Sequence, residues 1–382
     1  MKFLFVVPPL LGHVTPLRAL AGALDRRGHL IAWCGAEPET SRLTGLGSVF
    51  PAGASGPFAV ELRPAGLRGF AALKYLWESY QIPLAEEMLP GVLAAVERFE
   101  PDLLVSDQQA LAGALAAKLT RTSWVTSAST PAALADPAPG LPKIAEWIRA
   151  RQHELCARHG VGPSDLRLSP DLVLAFTIPE LAGDAGAHCV GAPRARPRTA
   201  EFPWAALDGR PLVVVTLGTS NAPAGRRFLE RAVRALADLP DVQGVVVDPA
   251  GELAGNGVLV RGDVPLPLLL SRTAVTVCHG GHNTVCESLE AGVPLVVAPI
   301  RDDQTVLAAR VADLGAGVRV RFDRATADDL RQAITSVLTE PGYRAKAALL
   351  RRSLRATDGA ETAADLLESL IARTKGSTCN PT

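Results

Sequence analysis

Twice this chain runs a short aliphatic segment into glycine and then into helical spacing. Residues 2–7 (KFLFVV) are almost wholly apolar. A loop with Pro8, Pro9 and Gly12 follows, and then Leu17, Leu20, Ala21 and Leu24 fall at helical intervals within 16–27. Gly28 closes that helix, and 29–34 reads as a second strand. Later, AVTVC (274–278) enters His279-Gly280-Gly281, a helix is expected over 282–291, and PLVVAP (294–299) supplies the next strand. Strands buried on both faces lose the alternation of a half-buried strand. A helix placed between two of them is the crossover of a parallel pair. The expected class is therefore α/β, with open doubly wound parallel sheets.

The pattern starts twice, and 382 residues suit two domains better than one. Between the two starts, GAPRARPRTAEFPWAALDGRP (191–211) carries four prolines and little apolar periodicity. The expected layout is a first domain over 1–193, a linker over 194–210 and a second domain over 211–354. A C-terminal helix over 355–373 is expected to pack back on the first domain. Within the first domain, 90–99 reads as an amphipathic helix, PDLLVSD (101–107) as a buried strand with a polar end, and 109–119 as a helix. A strand follows over 123–128 and a helix over 144–159. In the second domain, PLVVVTLGTS (211–220) is strand then loop, and helices are expected over 225–238, 303–314 and 326–339, with the C-terminal helix legible over 359–373.

Charge and cysteine content narrow the function classes. Lys plus Arg and Asp plus Glu both total 39, so there is no basic excess to reward binding to nucleic acid or an anionic membrane. No apolar run reaches the roughly 18–20 residues of a membrane helix. Pro8 and Pro9 cut the N-terminal apolar run, which reads as a buried first strand rather than a leader. The six cysteines are scattered, with no Cys-x-x-Cys pair, as expected of a reduced, cytoplasmic protein.

The segment with the most chemistry is CHGGHNTVCESLEAGVPLVVAPIRDDQ (278–304). Gly280 and Gly281 let the backbone approach a ligand closely. The helix that starts at about His282 or Asn283 offers unpaired amides and a positive dipole end to an anion. His279 and Thr284 flank that terminus as hydrogen-bond donors. By themselves these residues also suit an ordinary tight turn with Asn283 as cap. Asp302 and Asp303 likewise suit the cap of a solvated helix. In the first domain His13 opens a helix and Asp107 ends a strand on the same sheet edge, where each is also a possible helix cap.

Taken together, HGGHNTVCESLEAGVP followed by DQ resembles the donor-binding signature of the nucleotide-sugar-dependent glycosyltransferases with the GT-B fold, two facing Rossmann-like domains with an inter-domain cleft. The match covers His279, Gly281, Asn283, Thr284, Glu287, Gly292, Pro294, Asp303 and Gln304. GHVTPL near the N-terminus, PDLLVSD and LGTS extend it over most of the chain. The resemblance is strongest to bacterial antibiotic and macrolide glycosyltransferases. It implies that His279 and Gly280-Gly281 meet the diphosphate of the donor, with Thr284 and the backbone near Asn283 on the other phosphate. Glu287 would hold the ribose hydroxyls, and Asp303 and Gln304 the hydroxyls of the transferred sugar. Gly218, Thr219 and Ser220 would lie against the diphosphate. His13 would take the proton of the acceptor hydroxyl, and Asp107 would orient it and stabilise the imidazolium.

The resemblance implies an inverting, metal-independent transfer. The co-substrate would be a dTDP- or UDP-sugar, with no further cofactor; no Asp-x-Asp stands near the donor segment. One stretch departs from the family pattern. In GDVPLPLLL (262–270), Asp263 stands where an aromatic residue is common and Leu266 where Gln is common, near the backbone of Val264 that would frame the nucleobase. The expected partners are a nucleotide sugar and a lipophilic small-molecule acceptor. Tyr75, Trp77 and Tyr80, with Phe58 and Phe70, are candidates for the acceptor wall and equally for core. A sugar-nucleotide epimerase and a non-catalytic helper protein are the alternatives that the same fold would allow.

Overall fold

The computed structural model describes residues 1–59, 62–64, 66–67, 69–130, 141–183, 186–193, 201–218, 222–255, 257–301 and 303–377. The chain divides into two compact units. One comprises Met1–Ala195 with Thr357–Thr382, the other Arg196–Ala356.

The first unit holds a seven-stranded sheet. Its strands are β1 (Lys2–Val6), β2 (Leu30–Glu37), β3 (Ser48–Ala54), β4 (Leu103–Asp107), β5 (Trp124–Ser127), β6 (Val173–Ala175) and β7 (His188–Cys189). They lie in the order β3-β2-β1-β4-β5-β6-β7, and every pairing is parallel. The run FLFVV explains how both faces are filled. Phe3, Phe5 and Val7 enter one core with Leu17, Leu20 and Leu24 of the helix Leu11–Arg26. Leu4 and Val6 enter the other with Leu84 and Met88 of the helix Ile82–Phe99. Successive side chains alternate faces, so a continuous apolar strand serves two layers of helices.

The C-terminal helix Gly359–Ser377 belongs to this first unit, and Ala363, Ala364, Leu367 and Ile371 enter the Phe3–Phe5 core. Its polar edge is pinned by ion pairs from Arg26 to Glu361 and from Arg27 to Glu361, Asp365 and Glu368.

The second unit holds a six-stranded sheet of β8 (Leu212–Thr216), β9 (Gln243–Val247), β10 (Leu259–Arg261), β11 (Thr273–Cys278), β12 (Leu295–Val297) and β13 (Gly317–Arg319). The order is β10-β9-β8-β11-β12-β13, again all parallel. In both sheets the winding reverses once, between β1 and β4 in the first and between β8 and β11 in the second. Beyond the carboxyl ends of the strands at such a reversal, the outgoing loops diverge and leave a crevice where open α/β sheets take ligands.

Several segments differ from their sequence expectation. The helix expected over 90–99 spans Ile82–Phe99, with Pro90 inside it. Pro90 looks like a first helical residue, but the preceding turns bury Leu84, Ala85, Met88 and Leu89, which outweighs its missing amide. Gly91 is needed there, because a Cβ at 91 would stand 2.5 Å from the Cα of Ala52 on β3. A π-helix, Tyr75–Gln81, which carries the aromatic candidates Tyr75, Trp77 and Tyr80, precedes this helix. In the stretch expected as linker, Phe202 and Trp204 pair at 4.8 Å between ring centroids, and Phe202 packs on Leu212 and Val214 of β8. Composition could not show that these two aromatics anchor the segment to the second unit. Among the described residues the five cysteines are unbridged, and no helix is long and apolar enough to cross a membrane.

Candidate active site

The two sheet reversals carry the chemistry, one set of groups in each unit. In the first, the loop after β1 leads into the helix Leu11–Arg26, and His13 is its third residue. Asp107 is the last residue of β4, the strand beside β1. Adjacent strands of one sheet therefore bring together residues 94 apart in sequence: His13 Nδ1 and Asp107 Oδ1 lie 2.9 Å apart, buried. Asp107 Oδ1 also accepts from the Gln109 amide at 2.9 Å, while Oδ2 has no hydrogen-bond partner among the described residues. A carboxylate only accepts, so Nδ1 carries the hydrogen of the neutral ring, and proton exchange falls to Nε2.

Ser129, two residues past the end of β5, places Oγ 2.7 Å from the same Nδ1. Sequence inspection passes over Ser129. The only signal is the Ser-Ala-Ser-Thr run (127–130) ending the strand next to β4.

The aromatic candidates separate. Trp77 is 3% exposed and belongs to the core with Leu84 and Met88. Phe58 is buried and meets Tyr80 edge-on at 6.1 Å. The Tyr80 hydroxyl is buried, with no hydrogen-bond partner among the described residues. Burial and then the charge of Asp107 push this phenol well above its usual range, so it stays neutral. Tyr80 is thus close enough to feel the carboxylate that holds His13. Tyr75 lies under the Arg63 guanidinium at 5.7 Å, and Phe70 is exposed, edge-on to Trp147 at 5.3 Å.

In the second unit β11 ends at Cys278, and the backbone turns through His279, Gly280 (φ +85°) and Gly281 into the helix His282–Glu290. Gly281 is the N-cap, so Asn283 lies inside the helix and is not its cap. Glycine brings no side chain to cap the first turn, and a helix N-terminus carries the positive end of the helix dipole, which favours an anion. Thr284 follows in the first turn.

The His279 ring is boxed by glycines. A Cβ at Gly281 would stand 2.3 Å from Nε2, and one at Gly218 would stand 3.0 Å from Cε1. Gly218 itself has φ +70° after β8. Burial first, and Arg301 second, lower the His279 pKa to about 4. The ring is therefore a neutral N–H donor at physiological pH. Its Nδ1 is buried with no hydrogen-bond partner among the described residues.

The Asp303-Gln304 segment closes on the same turn. A Cβ at Gly280 would stand 3.2 Å from the Gln304 carbonyl oxygen. Asp303 is the N-cap residue of the helix Gln304–Asp313. Gln304 is buried, and its side-chain Oε1 accepts from the amides of Ile300 and Arg301 at 2.9 and 3.0 Å. That oxygen is committed to its own loop.

Glu287 lies one turn along from Asn283 and Thr284, and burial, then Glu290, push its carboxyl up to about 7. Val264 is buried with Leu212, Val214 and Leu269, and its carbonyl accepts from the Leu266 amide at 2.8 Å. Thr219 and Ser220 lie outside the described residues. Arg301, whose charge reaches His279, was not singled out in the sequence.

Comparison with known proteins places the chain in a family. Residues 247–370 match the family model for the C-terminal domain of erythromycin biosynthesis protein CIII-like proteins. The chain is similar to 4'-demethylrebeccamycin synthase of Lentzea aerocolonigenes, 30% identical over 97% of this chain and 99% of that one. It is 26% identical to the NDP-glycosyltransferase YjiC of Bacillus licheniformis, over 95% and 96% of the two chains. Among solved structures, the glycotransferase of kitacinnamycin superposes with a TM-score of 0.80 at 26% identity, covering 97% of this chain and 98% of that one.

The chain belongs to the GT-B glycosyltransferases of antibiotic and macrolide natural products.

Proposed function

We propose that the protein moves a sugar from a UDP- or dTDP-sugar to a hydroxyl of a lipophilic natural-product acceptor, with inversion at the anomeric carbon. The observation that carries this is the buried 2.9 Å pair of His13 Nδ1 and Asp107 Oδ1 beyond the sheet reversal of the first unit. In this scheme Nε2 takes the acceptor proton while the acceptor oxygen forms its bond to the anomeric carbon. The bond from that carbon to the diphosphate oxygen breaks, and the electron pair leaves with the nucleoside diphosphate. Asp107 stabilises the imidazolium, which later returns its proton to water.

The second unit supports the leaving half of the reaction. The dipole of the helix His282–Glu290 and a neutral His279 N–H favour negative charge at this turn. Charge that develops on the diphosphate needs no further counter-ion in this scheme. Glu287 would hold the ribose hydroxyls, and Asp303 with the amide nitrogen of Gln304 the sugar. The acceptor side would lie in the first unit near Tyr75 and Tyr80. The names of the relatives support a nucleoside diphosphate donor and a natural-product acceptor.

A thermal-shift series with UDP, dTDP and GDP tests the donor side, because a ligand of the native state alone raises the melting temperature. A pyrimidine nucleoside diphosphate is expected to give the largest rise. No rise with any of the three would overturn the donor assignment.

A further inference from the structure

We infer that Ser129 is a positioning residue for His13: its hydroxyl shares the Nδ1 hydrogen with Asp107, fixes the plane of the ring and raises its basicity. This rests on the base role proposed above.

Two oxygens stand at one nitrogen. Asp107 Oδ1 is 2.9 Å and Ser129 Oγ 2.7 Å from His13 Nδ1. With the carboxylate as acceptor, the hydrogen is on Nδ1, and the serine oxygen meets the same N–H as a second acceptor. The three residues come from three neighbouring strands: after β1, at the end of β4 and after β5. A ring held by Asp107 alone could swing about the single N–H···O line. A second contact from another strand removes that freedom. Asp107 Oδ1 is also shared with the Gln109 amide, so the carboxylate does not give His13 its whole accepting power. When Nε2 gains a proton, Nδ1–H becomes a charged donor and both contacts strengthen. The extra stabilisation falls on the protonated ring, which is the definition of a stronger base. The titratable group in contact with the ring is Asp107 on β4, whose charge the buried Tyr80 phenol also feels.

The test is an NMR titration of ¹⁵N-labelled His13, assigned with His13→Ala, in the full-length protein without ligand. Ser129→Ala is expected to lower the His13 pKa by roughly half a unit to one unit, the equivalent of one lost hydrogen bond. Ser129→Cys, which keeps the volume but is a weak acceptor, should do the same, and Ser129→Thr should titrate like the wild type. The cysteine and threonine variants decide the matter should the alanine variant fail to fold. An unshifted titration in a folded Ser129→Ala or Ser129→Cys protein overturns the inference.

Turnover is read as nucleoside diphosphate release from UDP-glucose or dTDP-glucose, with testosterone as an aliphatic alcohol acceptor. A roughly 3- to 10-fold lower kcat for Ser129→Ala, unchanged KM and recovery in Ser129→Thr are expected. Near-normal turnover in His13→Ala would remove the base role and the serine's catalytic part together. Lost turnover in His13→Ala with an unshifted Ser129→Cys titration would remove the serine alone.

Discussion

The backbone at Gly281 passes so close to His279 that a Cβ there would stand 2.3 Å from Nε2 of the ring. The contact is with an imidazole held in a buried site, not with the loose end of a flexible chain, so the ring cannot simply step aside. Gly281→Ala is expected to displace His279 and weaken binding of UDP or dTDP by tenfold or more, on the order of one lost charge-assisted hydrogen bond. Gly342→Ala is the control, because a Cβ at 342 meets nothing within 4 Å. Calorimetric titration of both variants checks the difference.

His13→Ala should lower kcat roughly 10²- to 10⁴-fold, the usual contribution of a general base. Asp107→Asn keeps the size of the side chain but offers Nδ1 an amide in place of a carboxylate, and should fall in the same range. Neither change should alter the affinity for free UDP or dTDP, since both residues lie in the first unit. Steady-state kinetics beside nucleotide titrations separate the two effects.

Two titratable groups of the second unit give opposite pH dependences. His279 has a folded pKa of about 4 against an ordinary value of 6.5. Between those values the unfolded chain binds the extra proton, so His279 costs stability as the pH falls from 6.5 towards 4. Glu287 has a folded pKa of about 7 against 4.5. Between those values the folded chain binds the extra proton, so Glu287 costs stability as the pH rises from 4.5 through 7. His279→Gln should therefore raise the melting temperature relative to wild type at pH 5 and not at pH 8. Glu287→Gln should raise it at pH 8 and leave it nearly unchanged at pH 4.5. Melting curves across that range check both signs.

Leu367 is fully buried in the Phe3–Phe5 core of the first unit, although the helix that carries it follows the entire second unit in sequence. Leu367→Ala should destabilise the first unit by about 2–5 kcal/mol. Denaturant unfolding should show that loss in the transition of the first unit, with the second unit's transition unmoved.

Much of this protein is legible without coordinates. KFLFVV and AVTVC are dominated by aliphatic and aromatic residues over strand length, so their place as central parallel strands is legible, although the buried Thr276 is a polar exception. The Gly280-Gly281 turn into a helix is legible for a similar reason, because only glycine tolerates that approach of backbone to ring. The short strands β6, β7 and β13 are not legible: two or three residues carry no period. The helix Ile82–Phe99 was hidden in part because Pro90 reads locally as a helix start.

Residue order alone states which chemical groups the chain owns and the strand-loop-helix succession in which they occur. Those depend on side-chain type and near-neighbour spacing alone. Which groups meet is a matter of packing. Parallel strand order sets Ser129 and Asp107 on one nitrogen of His13, turns the Gln304 oxygen inward to its own loop, and buries Trp77. Such contacts join residues tens of positions apart, and local spacing carries no information about them because the register between strands is set by the packed core.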